Sequence, residues 1–207
     1  DLGQAAIKEM NRVGVIVDVA HCNWQTSLEA AKFSSKPVVA SHSGACGVNP
    51  HPRNKPDEVI RAIAESGGYV GVCGIPYFLG RKGDISALLD HIDYIAKKFG
   101  TDYVAIGTDR GYQCQSKRQP ETVAAPASRP DFQRLWPEGS LPKSGDPDWE
   151  KEEQLGSLDW TCWPYFTVGL VQRGYSDEEI QKIIGLNVLR VLKANFPYER
   201  YLKPELQ

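Results

Sequence analysis

Four short runs of β-branched and small apolar residues recur along the chain, separated by segments of helical composition. They are GVIVDVA (14–20), PVVAS (37–41), GYVGVC (68–73) and DYVAIG (102–107). Such a run bounded by turn residues reads as a strand buried on both faces, the condition of strands in a parallel sheet covered by helices. Helical composition occupies 3–12 and 24–33, and Pro56 opens a helical stretch to about Ser66. Over 84–99, Ile85, Leu88, Leu89, Ile92, Ile95, Ala96 and Phe99 fall on one side of a helix. Four alternations of strand and helix predict an α/β fold with parallel strands and right-handed crossovers.

The pattern then breaks. From 111 to 160 the chain is rich in Pro, Trp, Gln and charge and has little periodicity. A loop of that length inside a compact domain is usually functional or mobile. It reads as an insertion, not a linker, because helices follow at 164–173 and 176–194. Ser176 and Glu179 have the spacing of a capping box. The tail, YERYLKPELQ (198–207), reads as peripheral, and residues 1–207 read as one domain.

Composition narrows the function. Hydrophobic residues make up 41% and charged residues 24%, enough for a packed core. A net charge of −2 without a basic block argues against nucleic acid or an anionic membrane as partner. No stretch has the length of a membrane span, and no signal peptide opens the chain, so the compartment, cytoplasmic or exported, stays open. The opening DLGQAAIKEMNRVG lacks an initiator Met and enters on a helix pattern, as an internal segment of a longer polypeptide would. Of five cysteines, Cys22, Cys46 and Cys73 lie at or near strand ends and read as small buried residues. Cys114 and Cys162 flank the insertion and could pair in an exported protein.

The chemistry-bearing residues sit where the strands end. In parallel α/β folds the C-terminal ends of the strands face the active site. His21 ends the first run, His42 the second and Asp109 the fourth, so the three should converge on one pocket. Neutral imidazole is a common zinc ligand and strands hold it rigidly. A lone histidine at a strand end is more often structural; two on adjacent strands with an aspartate point to metal or acid–base work. Arg53, among Pro and Asn in the following loop, suits bidentate binding of a carboxylate, or is solvated or paired with an Asp. His51 in the same loop reads as a loop anchor or a substrate contact, and His91 as a helix-face or packing residue. Asp18 lies inside a strand, where it orients a ligand or fills the interior of a barrel. The His42–Cys46 spacing is not that of a zinc finger in this apolar context.

Seven blocks carry a family resemblance: EMNRVGVIVDVAH (9–21), KPVVASHSGA (36–45), HPRN (51–54), DEVIRAIAESGGYVGV (57–72), DHIDYIAKKFG (90–100), VAIGTD (104–109) and RGYSDEEIQKIIGLNVLRVL (173–192). In order and spacing they resemble the C-terminal half of the renal (membrane) dipeptidase family, within the amidohydrolase superfamily. The resemblance implies a TIM-like (β/α)8 barrel, of which this chain supplies roughly the last four β/α units and the C-terminal helices. It implies a metallo-dipeptidase with two zinc ions, in which a metal-bridging hydroxide attacks the scissile carbonyl of a dipeptide. On that resemblance His21 and His42 are metal ligands from the fifth and sixth strands. Arg53 grips the substrate carboxylate. Asp109 meets the substrate amino group and takes part in proton transfer.

The sequence departs from the family in three respects. No counterpart is present for the N-terminal half, which carries an H-x-D pair, a bridging Glu and a further His. A partner is therefore expected to complete the barrel, either that half as another polypeptide or a second copy in a homo-oligomer. The motif GTDRGY (107–112) keeps Asp109 but has Arg110 in an aromatic position, and CGI (73–75) replaces an NFY-like stretch. These departures favour an alternative, a non-catalytic barrel that binds a small peptide or a maturation intermediate with an incomplete metal site. A self-contained doubly wound domain is a further alternative, but no Gly-rich phosphate loop follows the first run.

Overall fold

The computed structural model describes residues 1–110 and 152–196. Four strands, β1 (Val17–Asp18), β2 (Val38–Ser43), β3 (Tyr69–Val72) and β4 (Val104–Ile106), form one sheet in the order β1-β2-β3-β4. Every neighbouring pair is parallel. Helices α1 (Leu2–Val13), α2 (Trp24–Phe33), α3 (Asp57–Glu65) and α5 (Ile85–Phe99) alternate with the strands, and a short α4 (Pro76–Leu79) precedes α5. After the segment 111–151, which lies outside the described residues, come α6 (Glu152–Ser157), α7 (Trp163–Gln172), α8 (Asp177–Gln181) and α9 (Asn187–Asn195). A single π-helical turn, Lys182–Leu186, joins α8 to α9. No described helix is long and apolar enough to cross a membrane.

The strand order separates the two α/β architectures the sequence allows. A doubly wound sheet reverses its strand order at a switch point. Here the order never reverses, and α2 packs on α3, α3 on α5 and α5 on α7. A monotonic parallel ladder with successive helices as neighbours is the arrangement found in (β/α)8 barrels.

Side chains divide by the period of two along each strand. Val17, Val38, Ala40, Val70, Val72 and Val104 pack with Ile60, Ile63, Leu88, Ile92 and Ile95 in the core between sheet and helices. Asp18, Val39, Gly71 and Ala105 alternate with them and so occupy the opposite face. At roughly 1.5–3 kcal/mol for each fully buried large aliphatic side chain, this layer is the main source of stability.

Three local features differ from the sequence reading. The first strand is shorter than the run 14–20, because Gly14 closes α1 in the left-handed conformation (φ 83°) and the Val15 amide returns to Met10. Only Val17–Asp18 then joins the ladder, with one more bond from the Val19 amide to Val39. The segment read as irregular to 160 is helical over Glu152–Ser157, and a 3-10 turn follows at Trp160–Cys162. Third, β2 carries an extra residue. Ala40 pairs with Val70 but Ser43 pairs with Val72, so three steps along β2 match two along β3. Cys114, and with it the Cys114–Cys162 pairing, lies outside the described residues, as does the tail from 197.

That bulge has steric partners. It throws the Ser41 carbonyl over β3 and the end of β4, where Gly71 and Gly107 lie; a Cβ on either glycine would strike the Ser41 carbonyl oxygen. Crowding of that kind in a packed layer costs roughly 1–3 kcal/mol. Gly71→Ala is therefore expected to lower the stability in denaturant unfolding by that amount, and an unchanged midpoint would show that the bulge can yield.

Candidate functional site

His21, His42, Arg53 and Asp109 come together at the C-terminal edge of the sheet. His21 follows β1 in a turn closed by the Cys22 amide on the Val19 carbonyl. His42 lies in the bulge of β2. Their Nε2 atoms are 2.9 Å apart and the rings meet edge to face. The Asp109 carboxylate lies 3.9 Å from His42 Nε2. Asp109 has φ 56°, a left-handed conformation that Asp tolerates better than most residues and that tends to occur at functional sites.

Arg53 is buried beside this group. Its Nη2 donates to the His42 carbonyl at 3.2 Å and its guanidinium lies over the Phe78 ring. Its backbone is fixed at both ends: the amide donates to His51 Nδ1 and the carbonyl accepts from the Ser43 hydroxyl. His51 is thus the loop anchor the sequence suggests, with its ring against Tyr77 and Phe78. His91 is fully buried in α5; its Nδ1 accepts from the Ala45 amide and its Nε2 donates to the Leu79 carbonyl. It carries loop packing, not chemistry.

Burial, and then the Arg53 charge and His42, hold the His21 imidazole below its ordinary range. A neutral imidazole is the form that ligates metal. The two Nε2 atoms at adjacent strand ends fit as part of a metal ligand set. A catalytic zinc commonly takes three protein ligands, and among the described residues no group of three His, Cys, Asp or Glu is placed to hold an ion. The described residues thus suit a share of a metal centre.

Asp18, whose role the sequence leaves open, faces the same side. Its Oδ1 accepts from the amides of Ala20 and Ser41, each at 3.0 Å, and its Oδ2 accepts from the Ser41 hydroxyl at 2.5 Å. Ser41 Oγ in turn lies 2.7 Å from His42 Nδ1. Cys73, at the end of β3, is completely buried, and burial pushes its thiol up to about 12, so it is inert.

A model of the membrane dipeptidase family (peptidase family M19) matches residues 1–123. The dipeptidase tcpJ of Claviceps purpurea (strain 20.1) is 27% identical over 194 residues, 92% of this chain and 37% of that protein. The dipeptidase ataJ of Aspergillus terreus (strain NIH 2624 / FGSC A1156) is 32% identical over 184 residues, 87% of this chain and 36% of that protein. The chain thus spans little more than a third of these curated relatives. Among solved structures, a metallopeptidase from Rhodobacter sphaeroides, liganded with a phosphinate mimic of the dipeptide L-Ala-D-Ala, superposes with a TM-score of 0.68 at 23% identity. That match covers 93% of this chain and 46% of the other, and it shows a shared fold.

One site residue escapes sequence reasoning altogether. Lys55, in HPRNK, carries no signal of burial in the sequence, yet it is fully buried. Its Nζ donates to the carbonyls of Val19 and Cys22, both at 2.8 Å, and to Ser27 Oγ at 3.1 Å. It therefore ties the turn that carries His21 to the loop that carries Arg53. Burial lowers the Lys55 pKa from 10.5 to about 8. Between those values the unfolded chain binds more protons than the folded one, so the folding penalty of the buried charge, complete below pH 8, is relieved as pH rises through the window. Each unit of displacement corresponds to about 1.4 kcal/mol. The stability of the wild type relative to Lys55→Met is expected to rise between pH 7 and pH 10 in paired denaturant titrations. A flat difference would contradict it.

Proposed function

Because this chain belongs to the membrane dipeptidase family, we propose that it forms the C-terminal part of a zinc-dependent dipeptidase and supplies two metal ligands, a carboxylate clamp and a proton-handling aspartate. The observation that carries the reading is the His21–His42 pair, two Nε2 atoms 2.9 Å apart at the ends of adjacent parallel strands. In this reading both imidazoles hold zinc, which when bound acts as a Lewis acid and makes water nucleophilic at neutral pH.

The remaining steps belong to the chain's own residues. Arg53 is held by its loop and by the His42 carbonyl. A guanidinium keeps its charge even when buried, so it meets the free carboxylate of a dipeptide as a preoriented fork and fixes the length of substrate. Asp109, with its carboxylate 3.9 Å from His42 Nε2, lies close enough to the ligand pair to bind the substrate amino group and to carry a proton toward the leaving amine. The phosphinate mimic of L-Ala-D-Ala bound by the Rhodobacter relative makes that dipeptide the first substrate to assay.

Among the described residues β1 and β4 are the edge strands of the sheet, each with a single paired neighbour, and open edges recruit further strands. In the active protein those strands come from another segment of the barrel or from a second copy, and they bring the remaining ligands. Sedimentation of the isolated 207 residues as a stably folded monomer would count against this.

The central test is metal content and L-Ala-D-Ala turnover of the complete protein beside its His42→Ala and Arg53→Lys variants. His42→Ala is expected to lose bound zinc and nearly all turnover. Arg53→Lys is expected to raise KM by roughly 10-fold or more, since a hydrogen bond to a charged group contributes about 1.5–3 kcal/mol. Zinc content and turnover unchanged in His42→Ala would overturn the ligand assignment. Stoichiometric zinc without hydrolysis of any dipeptide would favour a barrel that binds a peptide without cutting it.

A further inference from the structure

We propose that Asp18 and Ser41 are positioning residues that lock His42 in its Nδ1-protonated tautomer, so that Nε2 presents its lone pair to the pocket. The tautomer assignment stands on hydrogen-bond geometry alone; its consequence for metal affinity rests on the reading of His42 as a ligand.

An ionised carboxylate only accepts, and a serine hydroxyl has a single proton to give. Asp18 Oδ1 is taken by two backbone amides, those of Ala20 and Ser41, which fixes the orientation of the carboxylate. Oδ2 is 2.5 Å from Ser41 Oγ, so the hydroxyl proton lies between them. Ser41 Oγ can then only accept from His42, 2.7 Å away. The proton of that second bond must sit on Nδ1 of His42. In the neutral ring Nε2 is left unprotonated, facing His21 Nε2 at 2.9 Å.

The backbone is built to make this contact possible. Consecutive strand residues point to opposite faces, so a serine directly before a histidine cannot ordinarily touch its ring. The extra residue in β2 lies between Ala40 and Ser43 and removes that alternation at Ser41–His42. Gly71 and Gly107, lacking Cβ atoms, accept the displaced Ser41 carbonyl. Bulges beside functional sites serve to re-aim side chains, and the partner that orients a ligating histidine's second nitrogen tunes its affinity for metal.

An isosteric change gives a sharp test. In Asp18→Asn the carbonyl oxygen must stay with the two backbone amides, which puts the NH2 group opposite Ser41 Oγ. The amide then donates to the hydroxyl, the hydroxyl turns its proton to His42 Nδ1, and the ring becomes the Nε2–H tautomer. Long-range 15N–1H NMR of the 15N-labelled, metal-free intact protein reads the tautomer directly. Expected are Nδ1–H in the wild type, Nε2–H in Asp18→Asn, and a return to Nδ1–H in Ser41→Thr, which keeps the hydroxyl. Zinc affinity by competition titration is expected to fall about 10- to 100-fold in Asp18→Asn. A wild-type His42 protonated on Nε2, a measurement that needs no variant to fold, would overturn the proposal. So would an Asp18→Asn protein that keeps Nδ1–H. Undiminished zinc affinity in His42→Ala would instead remove the ligand reading, with the tautomer measurement still deciding the role of the pair.

Discussion

The pocket depends on one inserted residue in β2. Without it, Ser41 and His42 would face opposite sides of the sheet, one in the helix-packed core and one in the concave interior. With it, the stretch Ser41–Ser43 touches nearly every part of the site. Ser41 meets Asp18 on β1, His42 meets His21, the His42 carbonyl receives Arg53, and the Ser43 hydroxyl holds the Arg53 carbonyl. A regular strand can offer side chains to one face only at every second position. The bulge concentrates polar contacts on consecutive residues, and the two glycines on the neighbouring strands make room for it.

The opposite end of the sheet does different work. Asn187 donates to the carbonyls of Thr101 and Val104, Arg190 to that of Asp102, and Asn195 to that of Pro37. These side chains of α9 satisfy backbone groups where β2 and β4 begin. In parallel barrels the N-terminal face serves stability while the C-terminal face serves chemistry, and the same division appears within this sheet: asparagines and an arginine tie down strand starts, histidines and carboxylates gather at strand ends.

Much of this architecture is legible in the sequence because it follows from hydrophobic periodicity. The helix over Trp24–Phe33, the amphipathic Ile85–Phe99 and the capping box of Ser176 and Glu179 are local features, and local sequence determines them. The convergence of His21, His42 and Asp109 is legible too, since strand ends in a parallel sheet face one way. The bulge is not, because it exists only as a mismatch between two strands whose register no single segment encodes. Asp18 stays ambiguous in the sequence because its partner lies 23 residues away. Lys55 goes unmarked for a related reason: its three acceptors belong to a turn and a helix of the preceding β/α unit, so nothing near it in the chain hints at burial. The helix at Glu152–Ser157 is too short to leave a periodic trace.

Lys55 also has a dynamic consequence. Loops at strand ends are ordinarily the least protected parts of a domain, each opening by its own local fluctuation. Here one ammonium holds two carbonyls that bracket His21, and its own backbone belongs to the loop of Arg53. Releasing either loop strands a buried charge without acceptors, so the two cannot fray separately. Their amides should exchange with solvent as one cooperative unit, and the turn of His21 and the loop of Arg53 open together or stay closed together.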